Sequence, residues 1–306
     1  MASKTQYLIQ KGLLTAPPKF LEFGVQYEVV MGSTAYGVAE DASDIDIYGF
    51  AIPPRDWVFP HLRGEIIGFD NCAPKFEQLQ QHHMQDPSAR AGKGVEYDLT
   101  IYSIVKFFRL LTDNNPNIVD ALFVPRHCIL HSTAIGELVR ENRKLFLHKG
   151  CWARFKGYAY AQMHKMRTKK PEGGRQKIVD EFGYDVKFAY HVVRLLNEVE
   201  QMLIEHDLDL AQNKEQLKAI RRGEWTQAQV EKYFIDKEKQ LESVYANSTL
   251  PAVANEVAIK QLLLQCLEQH YGSLHDCVAK LGSAEKALLE IEKIINREKG
   301  AIKGSE

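Results

Sequence analysis

Apolar and polar positions alternate in short runs over the first hundred residues and change to a helical period afterwards. Residues 26–31 read as a strand that stops at Gly32-Ser33. A second strand is expected over 44–52, where Asp44 and Asp46 alternate with Ile45 and Ile47. Residues 95–102 alternate polar and apolar side chains and predict a third. Between the second and third lies a polar segment, about 70–94, with Gln78, Gln80, Gln81, His82 and His83 and then Ala91-Gly92-Lys93-Gly94. It reads as a long loop or insertion. Ser103 suits the N-cap of a helix over Ile104–Leu111, and Pro116 suits the first position of the next. Helical periods follow over 133–145, 152–168, 180–206, 213–221, 226–246, 252–270 and 284–297. The loop Lys169–Arg175, with Gly173-Gly174, separates two of them and is expected to be flexible. The expected class is α+β: a small mixed β-sheet core over 1–145, an all-α domain over 146–272 and a helical extension over 273–306.

The chain has 306 residues, 45% hydrophobic and 26% charged, which is ordinary globular composition. A net charge of −1 supplies no overall field for nucleic acid or membrane, so any nucleic-acid contact must use local patches. No apolar stretch is long enough to span a bilayer, and the N-terminal residues lack the apolar core of a signal peptide. The five cysteines, Cys72, Cys128, Cys151, Cys266 and Cys277, are scattered without zinc-site spacing and fit reduced thiols in a cytoplasmic protein.

Asp44 and Asp46 stand at i and i+2 on a strand and therefore share a face. Two adjacent carboxylates repel unless a cation lies between them, and hard oxygens suit Mg²⁺. Gly32 lets backbone approach a ligand closely, and the Ser33 hydroxyl can hold phosphate oxygens. A phosphate-gripping turn beside a carboxylate pair points to metal-dependent phosphoryl or nucleotidyl transfer. The bland alternative is a polar turn before an edge strand with solvated aspartates. Adjacent His82 and His83 cannot share one face of a regular element, which argues against them as metal ligands.

Lys187, His191 and Arg194 fall at i, i+4 and i+7, at the edge of the apolar stripe Phe188, Val192, Leu195, Leu196, Val199 and Leu203. There they could bind a triphosphate, with Arg194 forking onto its oxygens. By spacing alone they could equally form a solvated face. Lys165, Arg167, Lys169, Lys170, Arg175 and Lys177 make a short basic run, either a solvated face or a contact for a nucleic-acid backbone.

Met31-Gly32-Ser33 followed after a spacer by Asp44-Ile45-Asp46 resembles the signature of the DNA polymerase β-type nucleotidyltransferase superfamily. Further segments recur in order in one subgroup: Asp98–Ser103 with Lys106-Phe107, Asn115-Pro116-Asn117, Gly157-Tyr158-Ala159, Tyr184-Asp185 with Lys187, His191 and Arg194, and Ile220-Arg221 with Gly223-Glu224. That subgroup is the predicted nucleotidyltransferase family of bacteria and phages that includes the RNA-repair-associated members, and the likeness covers about 24–270.

The resemblance implies a third acid on a later strand, for which Asp98 is the first candidate and Glu96, its i−2 neighbour, the second. It implies two Mg²⁺ ions, with Mn²⁺ as a substitute, held by Asp44, Asp46 and Asp98. A nucleoside triphosphate would be held by Gly32, Ser33, Lys187, His191 and Arg194. An NMP or dNMP would pass to a hydroxyl acceptor with release of pyrophosphate. An RNA acceptor, tRNA or an RNA 3′ end, is favoured over a protein or small molecule by the basic run. The rival is a non-catalytic nucleotide-sensing or scaffold module. Asn115 and Asn117 read as turn residues, and Gly223 as a helix C-cap beside an Arg221 able to reach the nucleotide. Beyond 272, Leu288, Ile291, Ile294 and Ile295 suit an amphipathic helix.

Overall fold

The structure, a computed structural model, describes residues 3–39, 44–66, 76–274, 277, 287–288, 291 and 294–295. It is α+β. Five strands form one mixed sheet: β1 (Val25–Val30), β2 (Ile45–Ala51), β3 (Gln78–Asp86), β4 (Val95–Ser103) and β5 (Ile129–Ser132), in the order β3-β4-β2-β1-β5. β2 runs parallel to β4, and the other neighbouring pairs are antiparallel.

Two compact units are present: Met1–Ile52 with Phe76–Cys266, and Pro53–Lys75 with Leu267–Glu306. The first takes in the sheet and nearly all the helices, so the expected boundary at 145/146 does not separate compact units. In the second, the Tyr271 hydroxyl donates to the Pro53 carbonyl at 2.5 Å, and His61 Nε2 lies 3.0 Å from the Cys277 carbonyl oxygen. Most of the expected 284–297 helix lies outside the described residues, as do Cys72 and residues 40–43 of the spacer. Leu288, Ile291, Ile294 and Ile295 are described and exposed.

The expected strands β1, β2 and β4 are present, but the 70–94 reading needs correction. Residues 78–86 form edge strand β3 rather than loop. Their side chains are mostly polar on both faces and only Met84 and Asp86 are buried, so they carry no alternation of the kind that marks β4. In contrast, β1 lies between β2 and β5 and is buried along most of its length. Within it lies Glu28, fully buried, which accepts from the backbone N–H groups of Lys4 (2.6 Å) and Thr5 (2.8 Å) at the start of α1 (Lys4–Gln10). It thereby satisfies orphan donors of that helix.

Seven further helices of the first unit matter for the site: α2 (Ile104–Thr112), α3 (Pro116–Phe123), α4 (Cys151–Thr168), α5 (Gly174–Phe182), α6 (Val186–Glu205), α7 (Lys214–Arg221) and α8 (Gln227–Asn247). Ser103 caps α2 by accepting from the Lys106 N–H, and Pro116 opens α3, as expected. The expected single helix over 180–206 is two. Gly183, at φ +80°, ends α5, and the Asp185 carboxylate caps α6 by accepting from the Lys187 and Phe188 N–H groups. α6 packs on α4, α7 and α8, and its apolar side chains are buried almost all round. No helix among the described residues is long and apolar enough to cross a membrane.

Candidate functional site

The register of β2 and β4 brings the acids together. Asp46 pairs with Asp98 across the parallel ladder, with Ile47 beside Leu99 on the opposite face. Asp44 stands just before β2. Burial pushes the Asp46 carboxyl up to about 6, and the charges of Asp98 and Asp44 add to the rise. Asp44 is raised as well, by partial burial and then by Glu96 and Asp98, while the Lys187 ammonium pulls it down. Three carboxylates gathered this closely form a donor set suited to a hard divalent cation.

Gly32 is packed against that set. Its φ is +64°, and a Cβ there would lie 2.0 Å from Asp46 Oδ2. The glycine is therefore required twice, for its left-handed backbone and for the room it leaves the carboxylate. The Met31 N–H donates to the Asp46 carbonyl at 2.7 Å and joins the turn to β2. Gly32–Ala35 make one helical turn, and the Val38 N–H returns to the Ser33 carbonyl at 2.9 Å.

A cavity of about 530 Å³ opens beside these residues. Gly32, Ser33, Asp44 and Asp46 form one wall, and Lys187, Tyr190 and His191 of α6 form another with Arg221 of α7. Ile178, Phe182 and Val186 add apolar surface, and Glu181 an acid. Arg221 also donates to the Val38 carbonyl at 2.7 Å and so ties α7 to the turn. Gly223 follows α7 at φ +73°, the expected cap. Burial and the surrounding charges of Arg194, Arg175, Arg221 and Lys187 drive the His191 pKa well down. His191 is thus a neutral ring, 4.2 Å from the Tyr190 ring, and its expected role as a third cation is corrected.

Arg194 needs the larger correction. It does not line the cavity. It is buried beneath Tyr36, with its guanidinium 4.3 Å from that ring, and it is bound to Asp120 of α3 and to both oxygens of Glu198, at 2.9 and 3.0 Å. The Tyr36 hydroxyl donates to Asp120 Oδ2 at 2.7 Å. Seven residues along a helix is a rise of roughly 10 Å, enough to carry position 194 past the cavity and into the core although it shares a face with 187. The missed signal was Asp120, an acid in the apolar run Ile118–Leu122, which requires a buried cation.

Asp98 and Glu96 are partnered on β3 rather than lining the cavity. Asp98 Oδ1 accepts from the His83 N–H at 2.8 Å, and His82 Nδ1 lies 3.2 Å from Asp98 Oδ2. His83 Nδ1 lies 2.5 Å from Glu96 Oε1. In the basic run, Arg167 binds Glu231 and Arg175 binds Asp185 and covers the Phe188 ring. Asn115 donates to the Tyr158 hydroxyl.

The Gly-Ser turn and the Asp44 and Asp46 carboxylates thus face Lys187 and Arg221 across one cavity. The chain belongs to the RNA repair pathway DNA polymerase beta family, whose profile it matches over residues 13–276, a span that contains every residue of this site. Among solved structures it is similar to a nucleotidyltransferase-like protein from Exiguobacterium sibiricum, at 10% identity and a TM-score of 0.28, covering 87% of this chain and 75% of that one. So low a TM-score adds nothing to the fold read above. No curated protein matches the sequence.

Proposed function

We propose that the protein moves a nucleoside monophosphate from a nucleoside triphosphate to a hydroxyl acceptor. The observation that carries this reading is the placement of Asp44 and Asp46 against Gly32 on one wall of a cavity whose other wall holds Lys187 and Arg221. Asp44, Asp46 and Asp98 would hold divalent metal, which when bound would neutralise phosphate charge and lower the pKa of the acceptor hydroxyl. The Gly32 backbone and the Ser33 hydroxyl would orient the triphosphate. Lys187 and Arg221 would offset charge on its oxygens. The Tyr190–His191 pair, aromatic and neutral, suits the base or the ribose. Apolar Phe182 and Val186 would limit water beside the reacting phosphate.

For the acceptor we favour an RNA end. Lys165, Lys169, Lys170 and Lys177 remain available on the first unit after Arg167 and Arg175 are discounted as tied to Glu231 and Asp185. Phosphate contacts of this kind position a strand without reading its sequence. The test is incubation with each labelled nucleoside triphosphate, Mg²⁺ and bulk tRNA, following pyrophosphate release and label on RNA. Label on RNA that is lost in Asp46→Asn and in a Lys165/Lys169/Lys170 triple alanine variant is the expected result. Label on protein or on a small molecule would redirect the acceptor, and no label with any acceptor would refute transfer.

A further inference from the structure

A second group of ligating side chains lies on edge strand β3 and its neighbour β4, apart from the cavity wall. Gln81 of β3 pairs with Leu99 of β4 and Met84 pairs with Tyr97, so two residues, His82 and His83, oppose the single residue Asp98. A bulge of this kind re-aims side chains that strict alternation would separate. His83 takes the left-handed conformation at φ +57°, one rarely adopted by a residue with a β-carbon. Such strain persists where surrounding structure holds it, and it is concentrated at functional sites.

The bulge turns His83 toward Glu96 and Asp98, which share one face of β4 at i and i+2. One ligand atom from each of His83, Glu96 and Asp98 lies within 4.8 Å of the other two. Around a metal with bonds of roughly 2.0–2.2 Å, ligand atoms stand about 3–3.5 Å apart, within reach of small side-chain rotations. The other oxygen of Glu96 accepts from Gln85 Nε2, a contact of the sort that orients a ligating carboxylate. The His83 side chain is 80% exposed, so solvent and ions reach it freely.

The donor set fixes the class of ion. All-oxygen groups suit Mg²⁺, whereas one imidazole with two carboxylates suits divalent manganese, iron, cobalt or zinc. We propose that His83, Glu96 and Asp98 bind one divalent transition-metal ion, at a site that shares Asp98 with the Asp44/Asp46 group but draws its selectivity from His83. Binding there replaces the His83–Glu96 hydrogen bond and fixes Asp98 on the strand next to Asp46. The site stands on its own geometry and does not require that the protein transfer nucleotides.

The test uses the full chain with MnCl₂ alone and no nucleotide. Pulsed electron paramagnetic resonance reads nitrogen couplings from an imidazole bound to Mn²⁺, and a titration reads affinity. The wild type and Asp44→Asn should both show the couplings. His83→Gln should lose them, with affinity for this ion falling about tenfold or more. Circular dichroism on His83→Gln checks that this exposed substitution leaves the fold intact. Four results would each overturn the proposal: no couplings in the wild type, unchanged couplings in His83→Gln, couplings removed only by His82→Gln, or their loss in Asp44→Asn. Turnover of nucleoside triphosphate with Mg²⁺ is measured separately. A protein that binds Mn²⁺ as described but transfers nothing would refute the function and leave the metal site standing.

Discussion

Asp46→Asn tests the electrostatics of the acid cluster without relying on activity. The wild-type carboxyl titrates near 6 instead of 3.8, because it is half-buried and faces Asp98 and Asp44. Raising a pKa from 3.8 to about 6 corresponds to about 3 kcal/mol at 1.36 kcal/mol per tenfold, and screening by the adjoining solvent reduces this to about 1–3 kcal/mol. The folded value lies above the unfolded one, so the ionised group costs nothing below about pH 4. The cost grows as pH rises through about 6 and is complete above it. An asparagine of the same shape carries none of it. In urea denaturation with EDTA present, Asp46→Asn should exceed the wild type by about 1–3 kcal/mol at pH 8 and match it at pH 4. Millimolar Mg²⁺ at pH 8 should stabilise the wild type and leave the variant where it was, since only the wild type keeps the donor set. A variant no more stable than the wild type at pH 8, or equally stabilised at both pH values, would refute the argument.

Gly32→Ala should abolish transfer and destabilise the fold by about 1–2 kcal/mol, because its β-carbon meets Asp46 Oδ2 and its backbone is left-handed; urea denaturation and a turnover assay check both. Arg194→Met should cost about 3–5 kcal/mol of stability, since it strands Asp120 and Glu198 in the core, and a loss under 1 kcal/mol would contradict the buried pairing. Lys187→Ala should leave stability within about 0.5 kcal/mol, as its side chain is exposed. Calorimetry should show nucleoside triphosphate affinity falling by about 1.5–3 kcal/mol in the same variant.

The sequence made β2 and β4 legible because each sets acids on one face against apolar residues on the other, an alternation that survives in the pairing of Asp46 with Asp98. β3 was illegible for the opposite reason: its covered side carries Gln81 and Asp86 beside Leu79 and Met84, so polar residues occupy both faces and no apolar period can be read. β5 is four half-buried residues, too short to announce itself. Gly183 and Asp185 both carried their usual stop and start meanings, yet the apolar period running through them suggested one helix where there are two. Two readings based on spacing failed for physical reasons. Helical spacing fixes a direction but not a depth, so Arg194 shares a face with Lys187 yet lies in the core. Period-two alternation holds only for a regular strand, and at the β3 bulge His82 and His83 both approach Asp98.

The parallel pairing of β2 with β4 also orders events in time. Asp98 follows Asp46 by 52 positions, and Lys187 follows Asp98 by another 89. At a synthesis rate of roughly 5–20 residues per second, Asp46 leaves the ribosome about 3–10 s before its partner, and Asp98 then precedes Lys187 by about 4–18 s. The neighbouring strands β1 and β2 need close only a short connection, whereas the β2–β4 ladder must wait for β4. The nascent chain therefore holds both carboxylates before Lys187, the cation across the cavity from Asp46, has been made, and 119 residues still follow that lysine.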